Sequence, residues 1–334
     1  MKKLRTAVVG LGWAGTVHAR TLAALPGIDL VALADLDPTK HTLFPGVPTF
    51  TDLEAMLDLN LDYCVIATPS VTHEHYALTL AAAGVPALIE KPLAPSAPAA
   101  WRISDAFTRA GILAAVGHTE RHQAPVAELG RRLRGGEFGD LWQLTTRRQG
   151  PYSGRILDVG VALDLLVHDV DLVAWAAGQP IESVTASTRV IAGPHEDTAT
   201  ATTVLHGGVL AHHHADCITP FKHRILQAHT ASGVLTADTI AGTLTHHLNT
   251  VAPAAAGTFP GVCPGDARRI ALPEQQAPFT VEHQLMRDAL MGADPRGLVT
   301  LAEGVAAVAA TEAVLTAAAT GRATAVPTCR LALA

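Results

Sequence analysis

Charged and aromatic side chains are scarce in this sequence, and long apolar runs are missing. Charged residues make up 16% of the 334 residues and aromatic residues 4%, whereas 49% are hydrophobic, a balance typical of soluble globular proteins with substantial cores. The formal net charge of -6 leaves no basic excess to attract nucleic acid. No apolar run approaches the roughly 18 residues of a membrane span. The apolar stretch after the basic first residues is short and passes at once into a glycine-rich turn, so we interpret it as a strand and not as a signal peptide. We therefore expect a cytoplasmic protein that has neither nucleic acid nor a membrane as a partner.

Cysteine is also rare, and the abundant histidines follow no pattern of metal ligands. The cysteines are far apart and form no C-x-x-C pair, so we expect them to be reduced and structural: Cys64, Cys217, Cys263 and Cys329. The 17 histidines include the runs AHHHAD at 211–216 and THHL at 245–248. Alternate residues of a strand face opposite sides, and no acidic or cysteine residue stands at a ligand-like spacing. The sequence therefore predicts no metal site.

A glycine-rich turn follows the first apolar segment of the chain. Residues 7–20 read AVVGLGWAGTVHAR, which is a strand-like stretch, then Gly10, Gly12 and Gly15, then a helix-like pattern. In this arrangement backbone N–H groups and the N-terminus of a helix meet a pyrophosphate. The motif alone is weak, because glycine-rich turns are common.

A carboxylate about 20 residues further on strengthens the interpretation. The second apolar stretch, LVALAD, ends in Asp35, where a carboxylate accepts hydrogen bonds from both hydroxyls of an adenosine ribose. The same charge repels a 2'-phosphate, and the following Leu36 offers no positive charge to hold one. The sequence therefore favours NAD over NADP. The alternative for Asp35 is a structural role in the turn after the strand.

Strand-like and helix-like segments alternate up to about residue 120, and longer strand-like segments with turn signals follow. Alternation of this kind produces parallel βαβ units, whereas Gly207-Gly208 and Ser232-Gly233 suit hairpin turns. We predict an α/β N-terminal Rossmann domain with a doubly wound parallel sheet over residues 1–120. An α+β C-terminal domain with a large, mainly antiparallel open sheet should follow over residues 121–334. Its helices are expected at about 124–135, 160–177 and 280–320.

Two groups of ionisable residues stand out in apolar surroundings. Lys91 comes directly after an apolar strand, at the carboxyl edge where such sheets bind ligands. Asp164, His168 and Asp171 follow one another at i, i+4 and i+7 in an apolar helical stretch, so they share one face. Either these side chains line a site, or they form a hydrogen-bonded network on the face of a structural helix.

These features together resemble the glucose-fructose oxidoreductase and inositol dehydrogenase family, called Gfo/Idh/MocA. Three stretches stand in the order of that family: GLGWAGTVHA, ATPSVTHEHYALTLAAAGVPALIEKPLA and DVGVALDLLVHDVDLVAWAAG. The lysine of the E-K-P motif and a later D-x-x-x-H pair are catalytic in the family, which implies that Lys91, Asp164 and His168 are catalytic here. His168 would take the hydroxyl proton, Lys91 would favour the developing alkoxide, and Asp164 would position the imidazole or bind a neighbouring hydroxyl.

The resemblance also implies NAD as cofactor and places the remaining site residues. The residues expected to contact NAD are Gly10, Gly12, Trp13, Ala14, Gly15, Asp35, Thr68, Pro69, Ser70, His73, Glu90 and Lys91. The residues expected to contact the substrate are Lys91, Arg121, Arg155, Asp164 and His168. Arg155 offers a bidentate fork for a phosphate or carboxylate, although a surface ion pair is an equal alternative.

Within the family, the stretches VGHTERHQAPVAEL and RRQGPYSGRILDVGVALDLLVHDVDL look most like the nucleotide-sugar branch, notably UDP-N-acetylglucosamine 3-dehydrogenases. This resemblance implies oxidation of a sugar secondary alcohol, at C3 of a nucleotide-linked sugar. The sequence departs from that branch at one place, because the branch has Arg-Phe-Asn-Pro where residues 121–124 read RHQA. The alternatives are a dehydrogenase of a cyclitol, aminosugar or nucleoside-linked sugar in secondary metabolism and, from another class, a non-catalytic NAD(H) sensor.

The strand-rich second domain also predicts self-association. A single layer of helices covers one face of a large sheet and leaves the other to be buried by a partner. In the family the outer face makes dimers or tetramers, so we expect a homodimer or homotetramer.

Overall fold

The structure is a computed structural model that describes residues 3–152, 154, 159–251 and 262–327. The chain forms two sheets, with helices packed on both faces of the first and on one face of the second. The predicted fold class, a parallel Rossmann sheet followed by a larger and mainly antiparallel sheet, is confirmed.

The first sheet is parallel and lies in the first third of the chain. Its strands are β1 (Leu4–Val9), β2 (Ile28–Ala34), β3 (Thr49–Phe50), β4 (Tyr63–Ile66), β5 (Ala87–Glu90) and β6 (Ala114–Gly117), and the helices between them are α1 (Trp13–Ala24), α2 (His73–Ala82) and α3 (Ala97–Ala110). The spatial order is β3-β2-β1-β4-β5-β6. Every residue of β4 and β5 is buried, as expected for central strands covered on both faces. The carboxyl ends of the strands consequently form one edge.

The second sheet is long and mostly antiparallel. Its strands are β7 (Leu141–Pro151), β8 (Ile181–Arg189), β9 (Thr198–Leu205), β10 (Leu210–Asp216), β11 (Ile218–Thr230), β12 (Gly233–Asp238), β13 (Thr243–Val251), β14 (Val262–Ile270) and β15 (Thr324–Ala325). The helices in this part of the chain are α4 (Ala124–Arg134), α5 (Val167–Ala177), α6 (Pro278–Leu290) and α7 (Leu301–Thr320), of which α6 packs against α1 of the first domain. The spatial order is β14-β13-β12-β11-β7-β10-β9-β8-β15. Strands β7 and β10 pair in parallel. A π-helical turn, Ala162–Leu166, leads into α5.

The second sheet buries one face and leaves the other open. Along β7 the inward positions Leu144, Thr146 and Arg148 are buried, whereas Arg147 between them is exposed. Residues of α4, α5 and α7 share one apolar core with the inward residues of this sheet. No described helix packs on the outer face. The open face is the structural basis of the predicted self-association, which stays a prediction.

The predicted helix over 280–320 is wrong in one respect, because two helices, α6 and α7, are separated by residues 291–300. Gly292 has φ +97°, and Pro295 has no N–H to continue a helix. Thr300 and Glu303 then start α7 with a reciprocal capping box. The intervening segment returns to the first sheet, where the N–H of Val116 donates to the carbonyl of Val299 at 2.9 Å. The change of sheet falls between β6 and β7, and part of the C-terminal chain packs on the first sheet. The domain boundary at residue 120 stays a prediction.

Helix α7 also corrects the expectation that no segment approaches a membrane span. By length and composition alone it is apolar enough to cross a bilayer, and 61% of its most apolar stretch is buried inside the protein. It packs against α3, α5 and β8 at the junction of the two sheets. Buried core helices of soluble proteins have the same composition.

The described cysteines are free, and the histidine-rich strand β10 has structural contacts. Cys64 and Cys217 are free thiols, while the side chain of Cys263 and the whole of Cys329 lie outside the described part. His213 is buried between the hydroxyls of Thr146, at 2.9 Å, and Thr203, at 3.1 Å, and burial lowers its pKa to about 3. No group of three metal-ligating side chains occurs in the residues described by the structure.

Candidate active site

The glycine-rich turn between β1 and α1 brings the backbone close to its surroundings. Gly10 has φ +88°, and a Cβ there would lie 2.6 Å from the carbonyl oxygen of Ala67. A Cβ on Gly15 would lie 1.8 Å from the carbonyl oxygen of Gly10, so the helix could not pack against the turn. At Gly12 a Cβ would meet nothing within 4 Å. The turn is thus tightly packed on the protein side and open at Gly12.

The N-terminus of α1 behind this opening fits a pyrophosphate. No described side chain caps the helix, and its first turn carries no acidic residue, so negative charge is not already supplied there. Trp13 is 59% exposed and its ring meets that of Phe279 edge-on, with the centroids 6.1 Å apart. Ala14 beside it is half-buried. The uncapped helix N-terminus and the open space at Gly12 together fit the pyrophosphate of a dinucleotide.

Asp35 stands at the end of β2, beside the turn, and is half-buried. One carboxylate oxygen accepts the N–H of Leu11 at 2.6 Å and the other accepts the N–H of Asp37 at 2.8 Å. Asp35 therefore has the structural role that the sequence left open, tying the turn to the next strand. Each oxygen keeps a second lone pair for a ribose hydroxyl.

The segments after β4 and β5 are joined by His73. Its ring nitrogens lie 2.9 Å from the carbonyl oxygen of Thr68 and 3.0 Å from that of Pro92, and burial lowers its pKa. Both nitrogens face carbonyl oxygens, and the neutral ring donates its single N–H to one of them. His73 therefore lies between the two loops and directs both ring nitrogens at the protein. Pro69 is exposed and Ser70 buried, on the edge where the sequence placed them.

Lys91 and Asp164 form an ion pair at the carboxyl end of β5. Nζ of Lys91 donates to Oδ1 of Asp164 at 2.8 Å and to its backbone oxygen at 2.8 Å. The two side chains keep only 13% and 21% of their exposure. Asp164 lies in the π-helical turn, and no hydrogen bond joins it to His168 in the described structure. Of the two roles predicted for Asp164, positioning of the imidazole finds no contact here, because the carboxylate holds the lysine instead. Binding of a neighbouring hydroxyl stays a prediction.

His168 stands one turn further on and is 9% exposed. Its Nδ1 is buried without a hydrogen-bond partner among the described residues. Burial and then the charges of Lys91, Arg148 and Arg224 hold the pKa of His168 well below its ordinary 6.5. The imidazole is consequently neutral at physiological pH, which is the form that accepts a proton.

Arg121 does not belong to the open part of the site, which corrects its predicted contact with substrate. It is 6% exposed. Its guanidinium donates to Asp171 at 2.8 and 2.5 Å and to Glu303 at 2.7 Å, and lies 5.7 Å from the ring centroid of Trp175. These partners use the fork of the guanidinium, so Arg121 and Asp171 tie α5 and α7 together. The other predicted arginine, Arg155, lies outside the described residues.

Sequence reasoning missed a buried chain of hydrogen bonds behind the site. Oε1 of Glu90 lies 3.0 Å from Nε2 of His18, Nδ1 of His18 lies 2.9 Å from Nε2 of His283, and Nδ1 of His283 lies 3.1 Å from the hydroxyl of Tyr63. The other oxygen of Glu90 accepts the N–H of Lys91 at 3.0 Å. Glu90 therefore supports the lysine from behind. His283 is 265 residues from His18, and no local pattern could have paired them.

A second missed group lies beneath His168. Arg148 of β7 donates to Asp169 at 2.8 Å and contacts Glu120 at 3.3 Å. His118, directly after β6, meets the His168 ring edge-on with centroids 5.9 Å apart. Both of its ring nitrogens are buried without a hydrogen-bond partner among the described residues, and Nδ1 lies 3.7 Å from Oδ2 of Asp171. The alternation of residues along β7 could have predicted that Arg148 faces inward. Its partners could not have been predicted, because they come from elements that only the fold brings together.

Comparisons with known families match both domains. Residues 4–118 match "Oxidoreductase family, NAD-binding Rossmann fold", and residues 126–236 match "GFO/IDH/MocA C-terminal domain". A curated relative, inositol 2-dehydrogenase 2 of Saccharopolyspora erythraea, is 33% identical over 189 residues, which are 54% of this chain and 56% of that protein. The chain thus spans little more than half the length of the curated relatives of this kind that it matches.

Solved structures are similar over nearly the whole chain. UDP-N-acetylglucosamine 3-dehydrogenase GnnA from Acidithiobacillus ferrooxidans is 26% identical, with a TM-score of 0.82 and coverage of 95% of this chain and 98% of that one. GenD2 from gentamicin A biosynthesis, solved in complex with NAD, is also 26% identical, with a TM-score of 0.80 and coverage of 98% and 97%. The family matches span the glycine-rich turn, the Lys91 loop and the helix that carries His168. The chain therefore belongs to the GFO/IDH/MocA family of oxidoreductases and has its NAD-binding Rossmann domain.

Proposed function

We propose that this chain is an NAD-dependent dehydrogenase that oxidises a secondary alcohol of a sugar. The observation that carries the proposal is the placement of three groups at the carboxyl edge of the Rossmann sheet. Lys91 is paired with Asp164 at 2.8 Å, and the neutral imidazole of His168 lies close enough for the lysine charge to lower its pKa. A cation and a neutral base at the edge where the cofactor binds suit removal of a proton and a hydride from one CH–OH group.

The roles of the side chains follow from their surroundings. When bound, NAD supplies the acceptor for the hydride. His168 takes the hydroxyl proton on a neutral ring nitrogen, and the nearby positive charges favour its rapid release afterwards. Nζ of Lys91 faces the oxygen that gains negative charge, and Asp164 fixes the lysine through its carboxylate and its backbone oxygen. Glu90 holds the backbone of Lys91.

We propose C3 of a nucleotide-linked sugar such as UDP-N-acetylglucosamine as the reacting carbon. The similarity to a UDP-N-acetylglucosamine 3-dehydrogenase over nearly the whole chain supports this substrate. The second candidate is a cyclitol, because inositol dehydrogenases are among the curated relatives. An aminosugar or a nucleoside-linked sugar of secondary metabolism belongs with the cyclitol to this second candidate, and the similarity to GenD2 supports it. A non-catalytic NAD(H) sensor is the alternative without turnover.

A deuterium-tracing experiment distinguishes these substrates. The protein is incubated with NAD and UDP-N-acetylglucosamine that carries deuterium at C3, and the mass of the NADH is measured. We expect the NADH to gain one deuterium. Unlabelled NADH, formed from a substrate labelled only at C3, would place the oxidation at another carbon. NADH formed from myo-inositol alone would favour the cyclitol, and no NADH from any sugar would favour the sensor.

Cofactor preference is a separate prediction, based on Asp35. A 2'-phosphate would face its carboxylate, and the exposed Leu36 offers no countercharge. NAD should therefore bind at least about tenfold more tightly than NADP, which corresponds to roughly 1.4 kcal/mol. Calorimetric titration of both dinucleotides measures the ratio. Asp35→Asn keeps one acceptor oxygen for the turn but loses the charge, so it should reduce the ratio of NAD affinity to NADP affinity. Equal affinities of the unmodified protein for the two dinucleotides would contradict the role of Asp35.

Self-association through the outer face of the second sheet is the third proposal. The inward face is covered by α4, α5 and α7, and the outer face has no described helix on it. We expect a homodimer or homotetramer at micromolar concentration, because an interface of stable size persists there. Light scattering gives the mass directly. A monomer of 34.7 kDa at that concentration would contradict the prediction.

A further inference from the structure

Arg224 on β11 is a charged side chain that the proposed mechanism does not use. It lies directly opposite Arg148 of β7 in the strand pairing, so both arginines point from the same face of the sheet toward α5. Its charge helps to lower the pKa of His168. Arg224 is therefore a neighbour of the reacting groups, although it stands far from Lys91 and His168 in the chain.

Arg224 and Arg148 differ in how they are neutralised. Arg148 contacts two carboxylates, those of Asp169 and Glu120. Lys91 has the carboxylate of Asp164. Arg224 has no carboxylate within 4 Å among the described residues. Like charges directly opposite each other across two strands are unfavourable. Burial and the Arg148 charge lower the pKa of Arg224, and the more distant carboxylates of Glu120, Asp169 and Asp164 offset this only in part. An anion beside Arg224 would offset both costs.

The hydrogen bonds of Arg224 leave one edge of its guanidinium open. Nη1 donates to the carbonyl oxygens of Gln149, at 3.0 Å, and His223, at 3.1 Å. These bonds hold the group beside the irregularity in the pairing of β11 with β7. Nε and Nη2 have no described partner, and neither is among the buried polar atoms without one, so both reach solvent. These two nitrogens form the parallel pair of donors that binds a phosphate or carboxylate at two oxygens.

We propose that Arg224 binds an anionic group of the substrate, a phosphate or a carboxylate, through its Nε and Nη2 edge. This inference rests on the proposed function for the location of the substrate, and it narrows the substrate class to sugars that carry such a group near the oxidised carbon. A purely structural role for Arg224 accounts for the two hydrogen bonds of Nη1 but leaves the donors Nε and Nη2 unused. The fixed Nη1 lowers the entropy cost of presenting the other edge to a ligand.

Binding measurements on the NADH-saturated protein test the inference without requiring turnover. The probes are UDP, inorganic pyrophosphate, glucuronate and, as the neutral reference, myo-inositol. They are titrated calorimetrically into the unmodified protein, Arg224→Gln and Arg224→Lys. Arg268→Gln is the matched control, because Arg268 is an exposed arginine of the same sheet on β14.

We expect at least one anion to bind the unmodified protein and to bind Arg224→Gln about tenfold to hundredfold more weakly, the usual loss for charge-assisted hydrogen bonds. Arg224→Lys keeps the charge without the fork and should fall between them. Arg268→Gln and the neutral probe should show no change. Effects on UDP and pyrophosphate identify a phosphate, and an effect on glucuronate alone identifies a carboxylate.

Two results would overturn the inference: no anion binds the unmodified protein, or the anions bind Arg224→Gln as tightly. If Arg224→Gln does not fold, unchanged affinity of Arg224→Lys overturns it instead. Turnover distinguishes this failure from that of the proposed function. If anions bind in a way that depends on Arg224 but no sugar is oxidised, the proposed dehydrogenase activity is refuted and the anion site is not. If a sugar is oxidised and Arg224→Gln does not change the rate, the anion site is refuted and the dehydrogenase activity is not.

Discussion

His168→Ala should lower kcat by roughly 10²-fold to 10⁴-fold, the usual contribution of a positioned proton acceptor. The affinity for NAD should stay nearly unchanged, because no contact in the described structure joins His168 to the glycine-rich turn. Steady-state rates and calorimetric titration of NAD measure the two quantities. His206→Ala, at an exposed turn between β9 and β10, is the control and should leave kcat unchanged.

The pH dependence supplies an independent readout of the same role. Protonation of His168 removes the acceptor, so the rate should fall as the pH is lowered. Because burial and the neighbouring charges keep the pKa of His168 well below 6.5, the fall should begin below the ordinary histidine range. Between pH 6.5 and 8, His168 should cause no change. Two results for His168→Ala would contradict this role: turnover at the unmodified rate, or a rate that still falls as the pH is lowered. Either result would favour the alternative that His168 belongs to a hydrogen-bonded network on the face of a structural helix.

Lys91→Ala should lower kcat/KM by about 10²-fold to 10³-fold, as loss of a donor to developing negative charge does. It should also weaken NAD binding, since the side chain of Lys91 stands on the cofactor edge of the sheet, whereas the backbone N–H that Glu90 holds is kept in the alanine variant. Asp164→Asn should cost less, because the amide oxygen still accepts from Nζ. The double variant should lose about as much as Lys91→Ala alone, since paired residues act as one unit.

The controls for this pair separate function from stability. Removing the lysine leaves the half-buried carboxylate of Asp164 unpaired, so thermal unfolding must be measured beside the kinetics. Lys3→Ala, at an exposed position, should change neither. Strictly additive losses in the double variant would show that Lys91 and Asp164 act separately.

The sequence allowed prediction of features that depend on local spacing. The glycine-rich turn, Asp35 after β2 and Lys91 after β5 each stand a fixed distance from an apolar strand, and the topology of a parallel sheet brings them to one edge. The D-x-x-x-H pair was visible for the same reason. What the spacing did not show is the partner of Asp164, because the π-helical turn directs that carboxylate to Lys91, 73 residues away.

Features that depend on long-range pairing could not be predicted. Arg224 becomes a neighbour of His168 only through the register of β11 against β7. Arg121 was assigned to substrate through the family resemblance, whereas Asp171 and Glu303 occupy it from two helices. The break after α6 was in principle legible in Gly292 and Pro295, but the apolar pattern on both sides concealed it.

The central claim is that this fold performs hydride transfer from a secondary alcohol, with His168 as the proton acceptor. The direct measurement is NADH formation, followed by absorbance, from NAD and a panel of UDP-sugars, sugar acids, free sugars and cyclitols, with the unmodified protein and His168→Ala side by side. The account predicts steady NADH formation from at least one member of the panel and its reduction by at least about a hundredfold in His168→Ala. A protein that binds NAD but forms no NADH with any member, or His168→Ala that matches the unmodified rate, would contradict it.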